Sequence, residues 1–274
     1  GTGSYTGINN PANVTMNSPI TEAASFGRFN AQVTVRTNPD TLNMLVDDVL
    51  YPSPHTFNWV TGSSHAIAVV DTQSGAVGTR YVWNRWSDNG SKTHTVNFVG
   101  DTTFTSYFTT QYYLTMVANV GGAVTPTNGW YNSNQKVTIS ALPESKYRFA
   151  SWSGIGNGIG AYNGINNPAE VTMDSPITET ANFSRKPIQI VIQANPPGRY
   201  FYYDGVPYNT PQTLMVTPGD QHYLGIVSPQ DAGTGIQYVW KNWSDDGAQA
   251  HSIFPDSNTT YTANFTKQFM LIEL

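Results

Sequence analysis

Displaced by 157 residues, the chain falls on itself: its first 117 positions match its last 117 with no gap. Asn9-Asn10-Pro11 meets Asn166-Asn167-Pro168, Trp83 and Trp86 meet Trp240 and Trp243, and His65 and His94 meet His222 and His251. Self-similarity at a fixed period restricts a chain to an array of like units, and moves the question of function from one pocket to the array. A finer repeat lies inside the coarse one. Tyr81 to Asp88, Tyr147 to Gly154 and Tyr238 to Asp245 all read Tyr-x-aromatic-x-x-Trp-Ser-(Asp/Gly), and a second signature ends in Phe at 21–26, 103–108, 178–183 and 260–265. These signatures divide the chain into the closing half of a unit at 1–29, units at 30–109, 110–186 and 187–267, and an opening strand at 268–274. A chain that starts and stops inside repeats is expected to be a piece of a longer array. Units 30–109 and 187–267 are of one long type; unit 110–186 instead carries a Gly/Asn-rich insertion at 154–167.

Within the units the local pattern is β. Ile188-Gln189-Ile190-Val191-Ile192-Gln193 and Lys136-Val137-Thr138-Ile139-Ser140 alternate apolar with polar residues, as half-buried strands require. Turn signals such as Gly121-Gly122, Asn128-Gly129, Asp204-Gly205 and Asp246-Gly247 punctuate them, and no stretch has helical periodicity. Units of this size built from short strands predict an all-β tandem array of small immunoglobulin-like β-sandwich modules. In a regular strand residues three apart point to opposite faces, so one ring of each pair Trp83/Trp86 and Trp240/Trp243 is expected inside and the other outside.

Charged residues are 11% of the chain, aromatics 13%, and the net charge is -5, so there is no basic face to grip nucleic acid or anionic lipid. With no cysteine there are no disulfides or thiolate metal sites, and no apolar run is long enough to span a membrane as a helix.

The aromatic-x-x-Trp-Ser-(Gly/Asp) core, the Asn-Pro-x-x-Val-Thr-Met stretches at 10–16 and 167–173, and the Thr-x-Thr-Ala-x-Phe closings at 178–183 and 260–265 carry a resemblance. The chain resembles the divergent InlB B-repeat group of prokaryotic surface-protein modules. The resemblance implies a spacer or adhesive role at the cell surface or outside the cell, with a β-grasp-like module as the alternative to the immunoglobulin-like one. It implies no catalytic residues. The long units depart from the pattern, having His94 or His251 where the Asn-Pro-x-x-Val-Thr-Met stretch would stand.

Several residue sets bear on chemistry. Rings repeated in every unit read as core, which leaves the unrepeated Trp59 and Trp130 as candidates for an exposed sugar-stacking face. Asp88 and Asn89, with Asp245 and Asp246 in the second copy, put oxygen ligands suited to calcium in a turn, although such residues also make tight turns unaided. His65/His94 and His222/His251 recur, but their spacing is no zinc signature. Carboxylates present in both copies, Asp47/Asp204, Asp88/Asp245 and Glu22/Glu179, form no acid–base pair, and no nucleophile or phosphate-loop motif appears, so no catalysis is expected. No lysine recurs at an equivalent position, which argues against a systematic Lys-Asn crosslink. The terminal Phe269, Met270, Leu271, Ile272 and Leu274 form an apolar strand expected to add to another copy, head to tail. The expectation is therefore a non-catalytic stalk or filament segment of a secreted or cell-surface protein. Its partners would be copies of itself or neighbouring modules; the alternative is an adhesin array that binds surface glycans or a receptor.

Overall fold

The computed structural model describes residues 4–271. It is all-β, and it divides into two compact units, Gly1–Tyr112 and Tyr113–Leu274.

In the first unit residues 4–29 form no strand and are largely exposed, and a module follows. Its strands are β1 (Asn30–Asn38), β2 (Asn43–Val46), β3 (Val49–Pro52), β4 (His55–Val60), β5 (His65–Val69), β6 (Gln73–Ser74), β7 (Thr79–Trp86), β8 (Thr93–Val96) and the first part of β9 (Thr102–Ala118). One sheet runs β4-β1-β9-β7-β6 and the other β3-β2-β5-β8. Ala31, Val33 and Val35 alternate inward along β1 while Gln32, Thr34 and Arg36 face outward. That inner face meets Met44 and Val46 of β2, Ile67 and Val69 of β5 and Trp86 of β7 in one core, which makes the module a two-sheet sandwich.

The second unit holds two modules. In the first of them the remainder of β9 joins β10 (Gly122–Thr125), β11 (Gly129–Asn132), β12 (Lys136–Pro143), β13 (Tyr147–Gly156), β14 (Ala169–Thr172) and β15 (Ile177–Arg185). The other contains β16 (Ile188–Asn195), β17 (Phe201–Tyr203), β18 (Val206–Tyr208), β19 (Gln212–Val216), β20 (His222–Gly225), β21 (Gln230–Asp231), β22 (Ile236–Trp243), β23 (Ala250–Ile253) and β24 (Thr259–Phe269). Its sheets, β19-β16-β24-β22-β21 and β18-β17-β20-β23, repeat the order of the 30–109 module strand for strand. The shorter module keeps the same plan: β9 lies between β11 and β15, β13 flanks β15, and β10-β12-β14 make the second sheet. Both unit types therefore share one arrangement, the short one lacking the counterparts of β3 and β6.

That arrangement departs from two antiparallel immunoglobulin sheets. The first and last strands of each module are parallel neighbours in the middle of a mixed sheet, as β1 with β9, β9 with β15 and β16 with β24, each flanked by antiparallel partners. A central parallel pair of this kind is the feature that the β-grasp alternative requires, here with a second sheet covering the face.

The repeated tryptophans do not take opposite faces, because each signature contains a β-bulge. Trp83 pairs with Phe108 and Arg85 with Tyr107, so Asn84 is the extra residue; Lys241 and Ala150 are extra in β22 and β13. An inserted residue resets the pleat, so both rings of each motif turn to one face. Trp86, Trp243 and Trp152 are fully buried, and Trp83 and Trp240 pack against the same cores. Trp86 Nε1 donates to Lys92 O at 3.1 Å and Trp243 Nε1 to Gln249 O at 3.3 Å, so each centre ring also fastens the loop leading to the next strand.

Candidate functional site

In each long module two aspartate–histidine pairs brace turns, and both recur at the period of the chain. Asp47 sits at positive φ (49°) in the turn from β2 to β3, as does Asp204 (47°) between β17 and β18. Asp47 Oδ2 accepts from His65 Nδ1 at 2.7 Å and its Oδ1 from Ala66 N at 2.8 Å. Asp204 accepts from His222 at 2.9 Å and from Tyr223 N at 2.8 Å. The hydrogen bond from His65 holds the Asp47 carboxyl below its ordinary range. Asp204 is also held low: bonds from His222 and Tyr223 N outweigh a desolvation that acts in the opposite direction. Burial beside Asp204 pushes the Tyr203 hydroxyl up to about 12.

The second pair closes the loop after the tryptophan motif. His94 is hydrogen-bonded through Nδ1 with Ser91 O at 2.7 Å and through Nε2 with Asp88 at 2.8 Å; His251 likewise with Ala248 O at 2.8 Å and Asp245 at 2.9 Å. Each ring therefore ties a loop carbonyl to the aspartate carboxylate and closes the loop from both sides. Asp88 is partly desolvated, which would raise it, yet the Gly90 N–H and His94 together hold it low.

These bonds engage the calcium candidates. Both oxygens of Asp88 are taken, by Gly90 N at 3.0 Å and by His94, and Asp245 is engaged likewise by Gly247 N at 3.3 Å and by His251. Asn89 and Asp246 occupy the left-handed positions of these turns, with φ of 62° and 60°. The residues expected to offer oxygen to calcium, Asp88, Asn89, Asp245 and Asp246, thus stand in turns that hydrogen bonds already brace. Among the described residues no three His, Asp or Glu side chains group as metal ligands.

The sugar-stacking candidates separate. Trp59 is 9% exposed, stacked on His65 at 3.8 Å and on Phe57 at 4.8 Å, so it presents no free face; its counterpart in the second copy is Val216. That corrects the expectation of an exposed ring at Trp59. Trp130, on β11, is half-buried and packs edge-on against Tyr113 at 5.1 Å. The terminal strand is also less free than expected: Phe269 is the last residue of β24 and pairs with Ile236, and Met270 N donates to Gly235 O at 2.9 Å. Their side chains and Leu271 are exposed, and Ile272 and Leu274 lie outside the described residues.

One of the recurring carboxylates is buried, which its recurrence alone did not reveal. Glu179 is fully buried in β15 where the long modules have Phe104 and Tyr261, and its Oε1 accepts from Tyr162 N at 2.6 Å. Its other oxygen has no partner, and burial pushes the carboxyl up from its ordinary value. The recurrence Glu22/Glu179 was its one mark in the sequence; Glu22 likewise accepts from Tyr5 N at 3.0 Å, but a carboxylate seventeen residues from its partner has no motif.

Comparison with known proteins follows the same division. No curated protein matches the chain by sequence. Among solved structures, the TIE protein of Bacillus anthracis aligns at 9% identity over 87% of this chain and 51% of that one, with a TM-score of 0.30. The pilus adhesin SpaC of Lactobacillus rhamnosus GG aligns at 12% identity over 90% of this chain and 44% of that one, with a TM-score of 0.23. The chain thus spans about half the length of each. The family model described as the divergent InlB B-repeat domain matches residues 112–187, the unit containing Phe149, Trp152 and the insertion, so the resemblance carried by the Trp-Ser signature holds for that module.

Proposed function

We propose that the chain is a non-catalytic structural length of a cell-surface repeat protein, a spacer whose role is to extend. The observation that carries this reading is the recurrence of one module plan with its turn braces intact. Asp47–His65 and Asp88–His94 return as Asp204–His222 and Asp245–His251, in polar positions that serve folding rather than a cleft. A junction contact recurs too. The Arg28 guanidinium carbon would lie 3.7 Å from a Cβ on Gly62, and Arg185 stands at the same distance from the equivalent point on Gly219. Both glycines have positive φ, 76° and 86°, which leaves a turn without a side chain where the arginine of the preceding segment lies. Stability in such an array is a sum of module and interface contributions, suited to bearing length.

The test is geometric. Chains carrying one, two and three copies of the 157-residue period are measured by small-angle scattering, and the maximum dimension is expected to grow by an equal increment per copy. Compaction to an unchanged dimension would overturn the spacer reading. The adhesin reading keeps one observation in its favour, the half-buried Trp130 on β11. Binding on a glycan array that disappears in Trp130→Ala would replace the spacer role with recognition.

A further inference from the structure

Where the 113–186 module meets the 187–267 module, a cleft of about 420 Å³ opens, and its chemistry differs from the rest of the chain. Three of the 13 cationic side chains line it, Lys146, Arg185 and Lys186, in a protein of net charge -5. The backbone fixes them together: Lys186 N donates to Lys146 O at 2.9 Å, so the turn between β12 and β13 and the exit from β15 present their lysines side by side. Arg185 is partly neutralised by Asp256 at 3.2 Å and also donates to Pro218 O at 3.4 Å. Lys146 and Lys186 form no ion pair among the described residues, whereas Lys136 of the same module is paired with Glu170 at 2.8 Å. The carboxylate in the lining, Asp256, is taken by Arg185, so the two lysines leave the cleft with cationic charge that an arriving anion would offset.

The remaining lining identifies more than a bare anion. Pro187 and Pro218 with the ring of Tyr147 offer flat apolar surface, and Ser145, Ser257 and Asn258 offer hydroxyl and amide groups beside it. Apolar faces next to hydrogen-bonding groups match the CH faces and hydroxyls of a sugar ring, and the volume falls in the range of small-ligand sites. We infer that this cleft binds an anionic saccharide, a sugar carrying a carboxylate or sulfate that lies against Lys146, Lys186 and Arg185. The corresponding contact in the first unit cannot duplicate it, because Phe29 and Val99 stand where Lys186 and Asp256 stand. The site belongs to the second unit alone and is independent of the spacer reading.

The test is titration calorimetry of the whole chain with four probes: tetragalacturonate, its full methyl ester, a chondroitin sulfate tetrasaccharide and sodium sulfate. At least one acidic oligosaccharide is expected to bind. The Lys146→Ala/Lys186→Ala double variant should then weaken that binding at least tenfold, and Lys136→Ala should leave it unchanged. Affinity should also fall as salt is raised from about 0.02 to about 0.3 M, as it does for exposed charges. The inference is overturned if neither acidic oligosaccharide binds at concentrations up to about 10 mM. It is equally overturned if the methyl ester binds as well as the acid, if sodium sulfate alone competes as effectively as the sugars, or if the double variant binds unchanged. Thermal unfolding of the double variant separates loss of the site from loss of the fold, since both lysines are exposed and their removal should leave the transition in place.

Discussion

At the scale of single residues the histidines and their aspartates are the informative groups. They were legible as recurring positions, but their partners were not, because Asp47 and His65 are eighteen residues apart and meet only when β2 and β5 pair. The pairing gives a signed pH dependence. Asp47, Asp88 and Asp204 are each held below the ordinary 3.8, so the native state binds fewer protons than the unfolded chain in acid. Their contribution is complete above about pH 4 and is lost as pH falls below it. Glu179 has the opposite sign: its folded value lies above 4.5, so as pH rises past that point the unfolded chain ionises while the buried carboxyl resists. Glu179→Gln should therefore remove a destabilisation that grows from about pH 4.5 towards neutrality. Urea midpoints of wild type and variant should converge in acid and separate as pH rises, and parallel curves would contradict the assignment.

At the scale of strands, the alternation in β12 and β16 predicted their buried faces correctly, since both are regular. The tryptophan motif was misread because one extra residue reverses the pleat, and Asn84, Lys241 and Ala150 carry no chemical mark of a bulge. The consequence can be measured. Asn84→Ala keeps the bulge and should change stability by less than about 0.5 kcal/mol, as exposed substitutions do. Deleting Asn84 forces either Trp83 or Trp86 out of the core and should cost about 3–5 kcal/mol, the scale of a Trp→Ala truncation. Near-equal urea midpoints for the two variants would show that the bulge does not set the face. The insertion obeys a similar constraint: a Cβ on Gly160 would overlap the Thr172 carbonyl oxygen, so Gly160→Ala should disturb the hydrogen bond from Thr172 N to Gly160 O, with local loss of amide protection in 158–164.

At the scale of the whole molecule, the sequence period exposed the array, yet it could not supply the parallel central strands, because strand direction depends on which strands become neighbours. Nor could it supply the junction, since Arg28 and Arg185 read as ordinary surface cations until the glycine turn opposite them is placed. In the second unit that junction joins two modules whose cores are otherwise separate, so the contact should act on coupling and leave each core intact. Arg185→Ala removes the guanidinium that bonds Pro218 O and Asp256, all outside both hydrophobic cores. Gly219→Val acts from the other side, placing a β-branched residue at φ of 86°, where strain of about 1–3 kcal/mol is expected. In a linear array, losing an interface contribution without losing module stability spreads one cooperative transition into two. Chemical unfolding followed at Trp152 in one module and at Trp240 and Trp243 in the next, with the other tryptophans replaced by Phe, should give coincident midpoints in the parent and divergent ones in Arg185→Ala. Coincident midpoints in the variant as well would mean that the modules are held together elsewhere, and the repeated arginine would then be a surface residue and no part of the junction.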